Sequence, residues 1–130
     1  MAGKRNRATA IIETKKGILI VRIRGLSYFV LPGGGIDKGE STIAALKREL
    51  KEETNLIATS CKYLFDSKGG THTFSGKIMQ NQHRVFLVKA KGKAIPKSEI
   101  KSISYYKRNS KIKLSKATRS IISKYRLAKR

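Results

Sequence analysis

The sequence is short of thiol, acid and long apolar runs. It has a single cysteine, Cys61, which excludes an internal disulfide and a cysteine-built metal cluster. The strand-like surroundings of Cys61 suit a packed core thiol better than a reactive one. Only two histidines occur, His72 and His83, with no His-x-His or His-Glu spacing that suggests zinc, so neither is assigned to catalysis and substrate contact is the alternative to an ordinary surface role. No stretch approaches the run of about 20 apolar residues that a membrane-spanning helix needs. The basic N-terminus does not read as a signal peptide, because Glu13, Lys15 and Lys16 interrupt its apolar run; cytoplasm is the default location. Acid is the scarcest component: eight Asp and Glu stand against thirty Lys and Arg, a formal charge of +22.

A chain of 130 residues reads as one domain, residues 1–130, able to bury about two-thirds of its unfolded surface in a single core. Residues 1–7 form a basic, polar start that is expected to fray. The positive field would attract any polyanion. Focusing of anionic nucleotides, contact with nucleic acid, and adaptation to the surrounding cytoplasm all fit it, and charge alone does not separate them.

The few acids are not scattered. Asp37, Glu40, Glu49, Glu52 and Glu53, five of the eight, fall between Leu31 and Leu56. From Ser41 to about Thr54 this stretch lacks Gly and Pro and is rich in helix formers, so a helix is expected, with Ile43, Leu46 and Leu50 facing a core. At roughly 100° per residue, Glu49, Glu52 and Glu53 share an arc of about 100° bordering that stripe. Glu49 and Glu53 are then a like-charged i,i+4 pair, worth about 0.2–0.5 kcal/mol against the helix, and a cation would reverse the sign. The competing reading is an ordinary solvated helix with an Arg48–Glu52 ion pair. Pro32 followed by Gly33, Gly34 and Gly35 makes a turn whose backbone can approach another group closely, with carbonyls free to face a metal. Carboxylate and carbonyl oxygens are hard ligands that suit Mg²⁺ or Mn²⁺.

Counted from Gly34, five residues lead to Glu40 and seven more to Arg48-Glu49; Leu50, one residue, Glu52-Glu53, one residue, Asn55 and Leu56 follow. This resembles the Nudix box, the signature of Nudix hydrolases, at every defined position except Asn55, where the family usually has Gly. That glycine caps the helix in a left-handed conformation. Asn is the best non-Gly substitute there, so the geometry is expected to survive at small cost.

The resemblance implies an α+β Nudix fold, with a mixed β-sheet sandwiched between the box helix and a C-terminal helix. It implies a MutT-like, Mg²⁺- or Mn²⁺-dependent enzyme that cleaves the pyrophosphate linkage of a nucleoside diphosphate joined to some group X. Glu49, Glu52, Glu53 and the carbonyl of Gly34 would be ligands, Glu49 the general base, and Arg48 the residue that orients Glu49 and pairs with Glu40. A basic residue at the end of the second strand often touches substrate phosphates in the family, which brings in Arg22 or Arg24. Gly33 joins the substrate set. An aromatic often stands at the position of Phe29 in relatives; core filling is the favoured role for it here and substrate contact the alternative, with Tyr28 a candidate stacking surface. Glu99 resembles a supporting acid found before the last strand. Subfamily marks are missing: Thr71 stands where ADP-ribose hydrolases have proline, and His72, Thr73 and Phe74 where diadenosine polyphosphate hydrolases have tyrosine. The extended motif of NADH hydrolases is also absent, so a (d)NTP leads by default. A non-catalytic RNA- or nucleotide-binding module and an RNA 5′-end pyrophosphohydrolase are the alternatives, and a homodimer is open.

Elsewhere, Ala8–Thr14 and Gly17–Arg24 predict a hairpin about Lys15-Lys16-Gly17. Ile57–Phe65 predicts a strand, Ser67–Gly70 a turn, and Thr71–Met79 and Arg84–Ala90 two strands joined by a polar loop, Gln80–His83. Ser102–Tyr106 predicts a short late strand. Leu114, Ala117 or Thr118, Ile121, Ile122 and Tyr125 recur at helical spacing, which predicts a terminal helix packed on the sheet with a basic outer face.

Overall fold

The structure, a computed structural model, describes residues 3–129, and of Phe74 the backbone only. Seven strands and two helices follow in the order β1 (Gly3–Ile11), β2 (Glu13–Thr14), β3 (Gly17–Ile23), β4 (Gly33–Gly35), α1 (Thr42–Thr54), β5 (Ile57–Phe74), β6 (Lys77–Lys91), β7 (Ile100–Tyr106) and α2 (Lys116–Ala128). A four-stranded sheet has the order β4-β1-β6-β5, and a three-stranded sheet the order β2-β3-β7. Strands β1 and β6 run parallel while their other neighbours are antiparallel, so the larger sheet is mixed.

The helices lie on opposite faces, as the composition of two core clusters shows. Ala45, Leu46 and Leu50 of α1 pack with Ala8, Leu19, Phe86 and Val88, whereas Ile121, Ile122 and Tyr125 of α2 pack with Ile11, Ile20 and Val85. Each fully buried Leu or Ile contributes about 1.5–3 kcal/mol. The expected sandwich of sheet between box helix and terminal helix is therefore present.

Helix α1 starts where Ser41 accepts a hydrogen bond from the Ala44 amide at 3.1 Å. It ends at Asn55, which takes the left-handed conformation (φ 67°) and donates its amide to Lys51 O. Its inward line is Leu46, Leu50 and Glu53, at i, i+4 and i+7. Ile43, expected to face the core, is 41% exposed. Its angle about the helix lies within about 20° of that of Leu50, so its exposure comes from its place in the first turn.

Three expectations are corrected. Residues 3–7, expected as a loose start, are placed in strand: they extend β1, pairing Gly3–Arg7 with Met79–His83 of β6, while Met1 and Ala2 lie outside the described residues. The Ser67–Gly70 turn and the Gln80–His83 loop are both strand, and the hairpin reverses instead at Ser75 and Gly76, both with positive φ. Gly69-Gly70 marks a register shift between Lys68 and Thr71, an irregularity that glycines in a strand accommodate. The polar residues 80–83 belong to a strand because every second one faces a cleft rather than bulk water.

Candidate active site

Arg48 is the hub of the box. Its Nε donates to Glu40 Oε2 at 2.7 Å and its Nη2 to Glu40 Oε1 at 2.9 Å, a bidentate pair. Nη1 reaches Glu49 Oε1 at 2.8 Å and Glu52 Oε2 at 3.4 Å, and Nη2 also reaches Gly35 O at 3.2 Å. The guanidinium holds the Glu40 carboxyl down at about 2, with help from the Asp37 amide, and is itself shifted upward by Glu40 first. One side chain thereby ties the loop after β4 to two carboxylates of α1.

Glu53 is different in kind. It is 6% exposed, and its Oε1 accepts the Gly33 amide at 3.0 Å. Burial pushes its carboxyl up to about 8 against that hydrogen bond, and nearby Glu49 and Glu99 raise it further while Arg7 opposes them. The Glu49 carboxylate is folded over Gly34: a Cβ there would meet its Oε2 at 2.6 Å and Oε1 at 2.7 Å. Glu99, exposed, belongs to a loop fastened to the end of α1 by Ile95 N–H to Thr54 O and Lys97 N–H to Glu53 O.

These groups adjoin a cavity of about 420 Å³ lined by Arg5, Arg7 and Thr9 of β1, Gly33, Tyr28, and residues of β5, β6 and the N-terminal part of α2. On β1, Arg5, Arg7 and Thr9 alternate onto one face. Burial lowers the Arg7 pKa, as does Arg5, whereas Glu53, Glu49 and Glu99 raise it, so Arg7 joins the cavity to the acids. His72 lies 3.5 Å from Arg5 Nη1, and His83 Nδ1 shares a 2.8 Å hydrogen bond with Thr9 Oγ1. Asn81 also lines the cavity, and its buried Oδ1 has no hydrogen-bond partner among the described residues.

Burial, then Arg7, drives the His83 pKa down to about 4. A histidine at about 6.5 when unfolded but lower when folded contributes stability above pH 6.5 that is lost as pH falls towards 4. Between those values wild type should lose thermal stability more steeply than His83→Gln, by roughly 1 kcal/mol or more, in unfolding curves taken across pH 4–7. Parallel curves would contradict it.

The expected site residues divide. Glu40, Arg48, Glu49, Glu53, Gly33 and Gly34 come together; Glu52 meets the group through Arg48, and Glu99 only electrostatically. Arg22 and Arg24 do not line the cavity. Arg22 donates to Leu26 O at 3.1 Å and Arg24 is exposed, because the alternation that puts Ile23 into the cavity turns both arginines away. Phe29 packs in the α2-side core, bridged to Leu114, which is the core-filling role favoured for it, and its neighbour Tyr28 lines the cavity. Arg5, Arg7 and Asn81 are not singled out in the sequence, and His83 is expected there in a loop rather than on a strand. The i, i+2 spacing of Arg5-Arg7-Thr9 and of Asn81-His83 was the available signal once those segments are read as strand.

The model of the NUDIX domain family matches residues 3–123. The chain belongs to the Nudix family. Among solved structures, a protein from Chromobacterium violaceum described as a Nudix hydrolase family member is 34% identical (TM-score 0.79), the match covering 98% of this chain and 79% of that one. A MutT Nudix hydrolase from Burkholderia pseudomallei (20% identity, TM-score 0.78, 92% and 96% coverage) shares the fold. So does a UDP-X diphosphatase (19%, TM-score 0.75, 100% and 66%). No curated protein sequence matches the chain. Nudix hydrolases are generally pyrophosphohydrolases that act on small nucleotides and use divalent metals such as Mg²⁺.

The donor set of this Nudix site fits such an ion in chemistry: all the candidate ligand atoms, of Glu49, Glu52, Glu53 and the Gly34 carbonyl, are oxygens. Among the described residues, no three Asp, Glu, His or Cys side chains form a group that could hold an ion as they stand. Arg48 Nη1 is bonded to both Glu49 and Glu52. No helix among the described residues is long and apolar enough to cross a membrane.

Proposed function

We propose that this protein is a MutT-like pyrophosphohydrolase that splits the diphosphate linkage of a nucleoside diphosphate joined to a further group, a (d)NTP foremost, with Mg²⁺ or Mn²⁺. One observation carries the reading: Glu53, a buried carboxyl bonded to Gly33, lies beside the Arg7 end of a cleft within the usual size range of ligand pockets.

Glu49, Glu52, Glu53 and the Gly34 carbonyl would hold the divalent ion, with Glu99 as a supporting acid. When bound, such an ion lowers the pKa of a water and neutralises phosphate oxygens. Glu49 accepts the proton of the attacking water as general base. Arg48 is a positioning residue: its contact with Glu49 Oε1, anchored by the bidentate pair to Glu40, fixes where that carboxylate points. Arg7, with Arg5 beside it, binds the phosphates, the role that the family resemblance implies for Arg22 or Arg24. Tyr28 supplies a face for the base.

The test is release of nucleoside monophosphate, with pyrophosphate or a phosphorylated X as the other product, from a nucleotide panel with Mg²⁺ or Mn²⁺. Glu49→Gln should lower kcat by roughly two to three orders of magnitude with the fold intact. Arg7→Ala should raise KM about tenfold with a smaller change in kcat, since a ground-state phosphate contact is lost. Unchanged turnover in Glu49→Gln would refute the assignment. Salt-dependent RNA binding that survives Glu53→Gln, with no metal-dependent turnover, would instead favour a non-catalytic binding module.

A further inference from the structure

Two further grooves lie along α2, on its other flank from the cleft. The cleft takes Ser115–Thr118 and Ile121, whereas the first groove, of about 230 Å³, takes Arg119, Ile122, Ser123 and Arg126. The second, of about 300 Å³, lies between the β2–β3 turn and the end of β7. Both are lined by Tyr106, Arg108 and Arg126, so they join into one trough.

Five cations line it: Lys15, Lys107, Arg108, Arg119 and Arg126. Among the described residues none of the five forms an ion pair. The one acid in the lining, Glu13, is engaged by Lys129 at 3.0 Å. Arg119 Nη2 donates to Leu114 O at 3.5 Å, and the Arg126 guanidinium carbon lies over the Tyr106 ring, 5.4 Å from its centroid. Like charges gathered in a concave strip repel one another unless a polyanion lies among them.

We infer that this trough binds the phosphodiester backbone of a single-stranded nucleic acid. A linear ligand with evenly repeated charge fits a continuous groove. A flat anionic membrane would reach only its rim, and a lone phosphate would engage one end. The guanidinium on the Tyr106 face adds a planar surface against which a base stacks whatever its identity. The site stands apart from the carboxylates, so it does not depend on the hydrolytic reading.

The test is fluorescence anisotropy with a labelled oligouridine of about 16 nucleotides over a salt series, using the full chain. R108Q/R119Q/R126Q should bind about tenfold or more weakly, with the slope of log K against log salt reduced by about two. K47Q/K62Q/K91Q, which removes equal charge from exposed positions elsewhere, should change affinity less than about twofold. Thermal unfolding checks each variant, and R108E at an exposed position gives a second reading should the triple variant fail to fold. Equal losses in the two triple variants would overturn the proposal in favour of undirected charge. Full displacement by a nucleoside triphosphate would overturn it in favour of the cleft, and displacement by polyglutamate at equal charge in favour of an acidic protein partner.

Discussion

Glu53→Gln is expected to lower metal-dependent turnover by roughly three orders of magnitude, equivalent to about 4 kcal/mol of transition-state stabilisation. The same substitution should make the metal-free protein more stable. The Glu53 carboxyl stands at about 8 in the fold, chiefly because it is buried, against about 4.3 in an unfolded chain. A group raised in this way leaves stability intact below pH 4 and withdraws it as pH climbs to about 8. Gln keeps an oxygen for the Gly33 amide without a charge to bury. The melting temperature of Glu53→Gln should therefore exceed that of wild type by roughly 5–10 °C at pH 9 in chelator, with the gap closing towards pH 4. A variant less stable than wild type at pH 9 would mean that burial does not strain this carboxyl.

Adjacent glycines should fail in opposite ways. Gly33 has φ +142°, and a Cβ there would run into the Ala8 carbonyl oxygen and sit 3.0 Å from Thr9 Cα. Those atoms are backbone of the neighbouring strand β1, and the Thr9–Gly33 pairing leaves them no room to retreat. Gly33→Ala should cost about 3 kcal/mol or more, seen as a melting temperature lower by roughly 10 °C or failure to accumulate as folded protein. At Gly34 the obstacle is instead the end of a side chain, the Glu49 carboxylate, which can swing aside. Gly34→Ala should fold nearly as well as wild type yet lose activity about a hundredfold, because Glu49 is moved from its place against Arg48. Equal damage to stability from both substitutions would contradict the arrangement.

What could be read before the fold was known tracks the range of the interactions. The box was legible because its partners lie close in sequence: Ser41 caps Ala44, Arg48 reaches back to Glu40, and Asn55 closes on Lys51. The terminal helix was legible because Thr118, Ile121, Ile122 and Tyr125 keep one face. The cleft was not, since its walls meet only through long-range pairing. Arg7 comes near Glu53 only when β1 pairs with β6 and β4. Arg22 and Arg24 carry the right charge on the right strand but alternate away from the cavity, and that depended on a register no local pattern specified. Gly69-Gly70 misled for a related reason: glycine pairs mark strand irregularities as well as turns, and only the partner strand distinguishes them.

Titration of Mn²⁺ into the protein, with free Mn²⁺ read by electron paramagnetic resonance across pH 6–9, tests most directly whether Glu53 and its neighbours gather a divalent cation beside the cleft. Wild type should bind with affinity that rises with pH and levels off above about 8, where the Glu53 carboxyl no longer has to surrender a proton, and Glu53→Gln should bind at least tenfold more weakly. Equal binding by the two proteins, with no dependence on pH, would contradict the account.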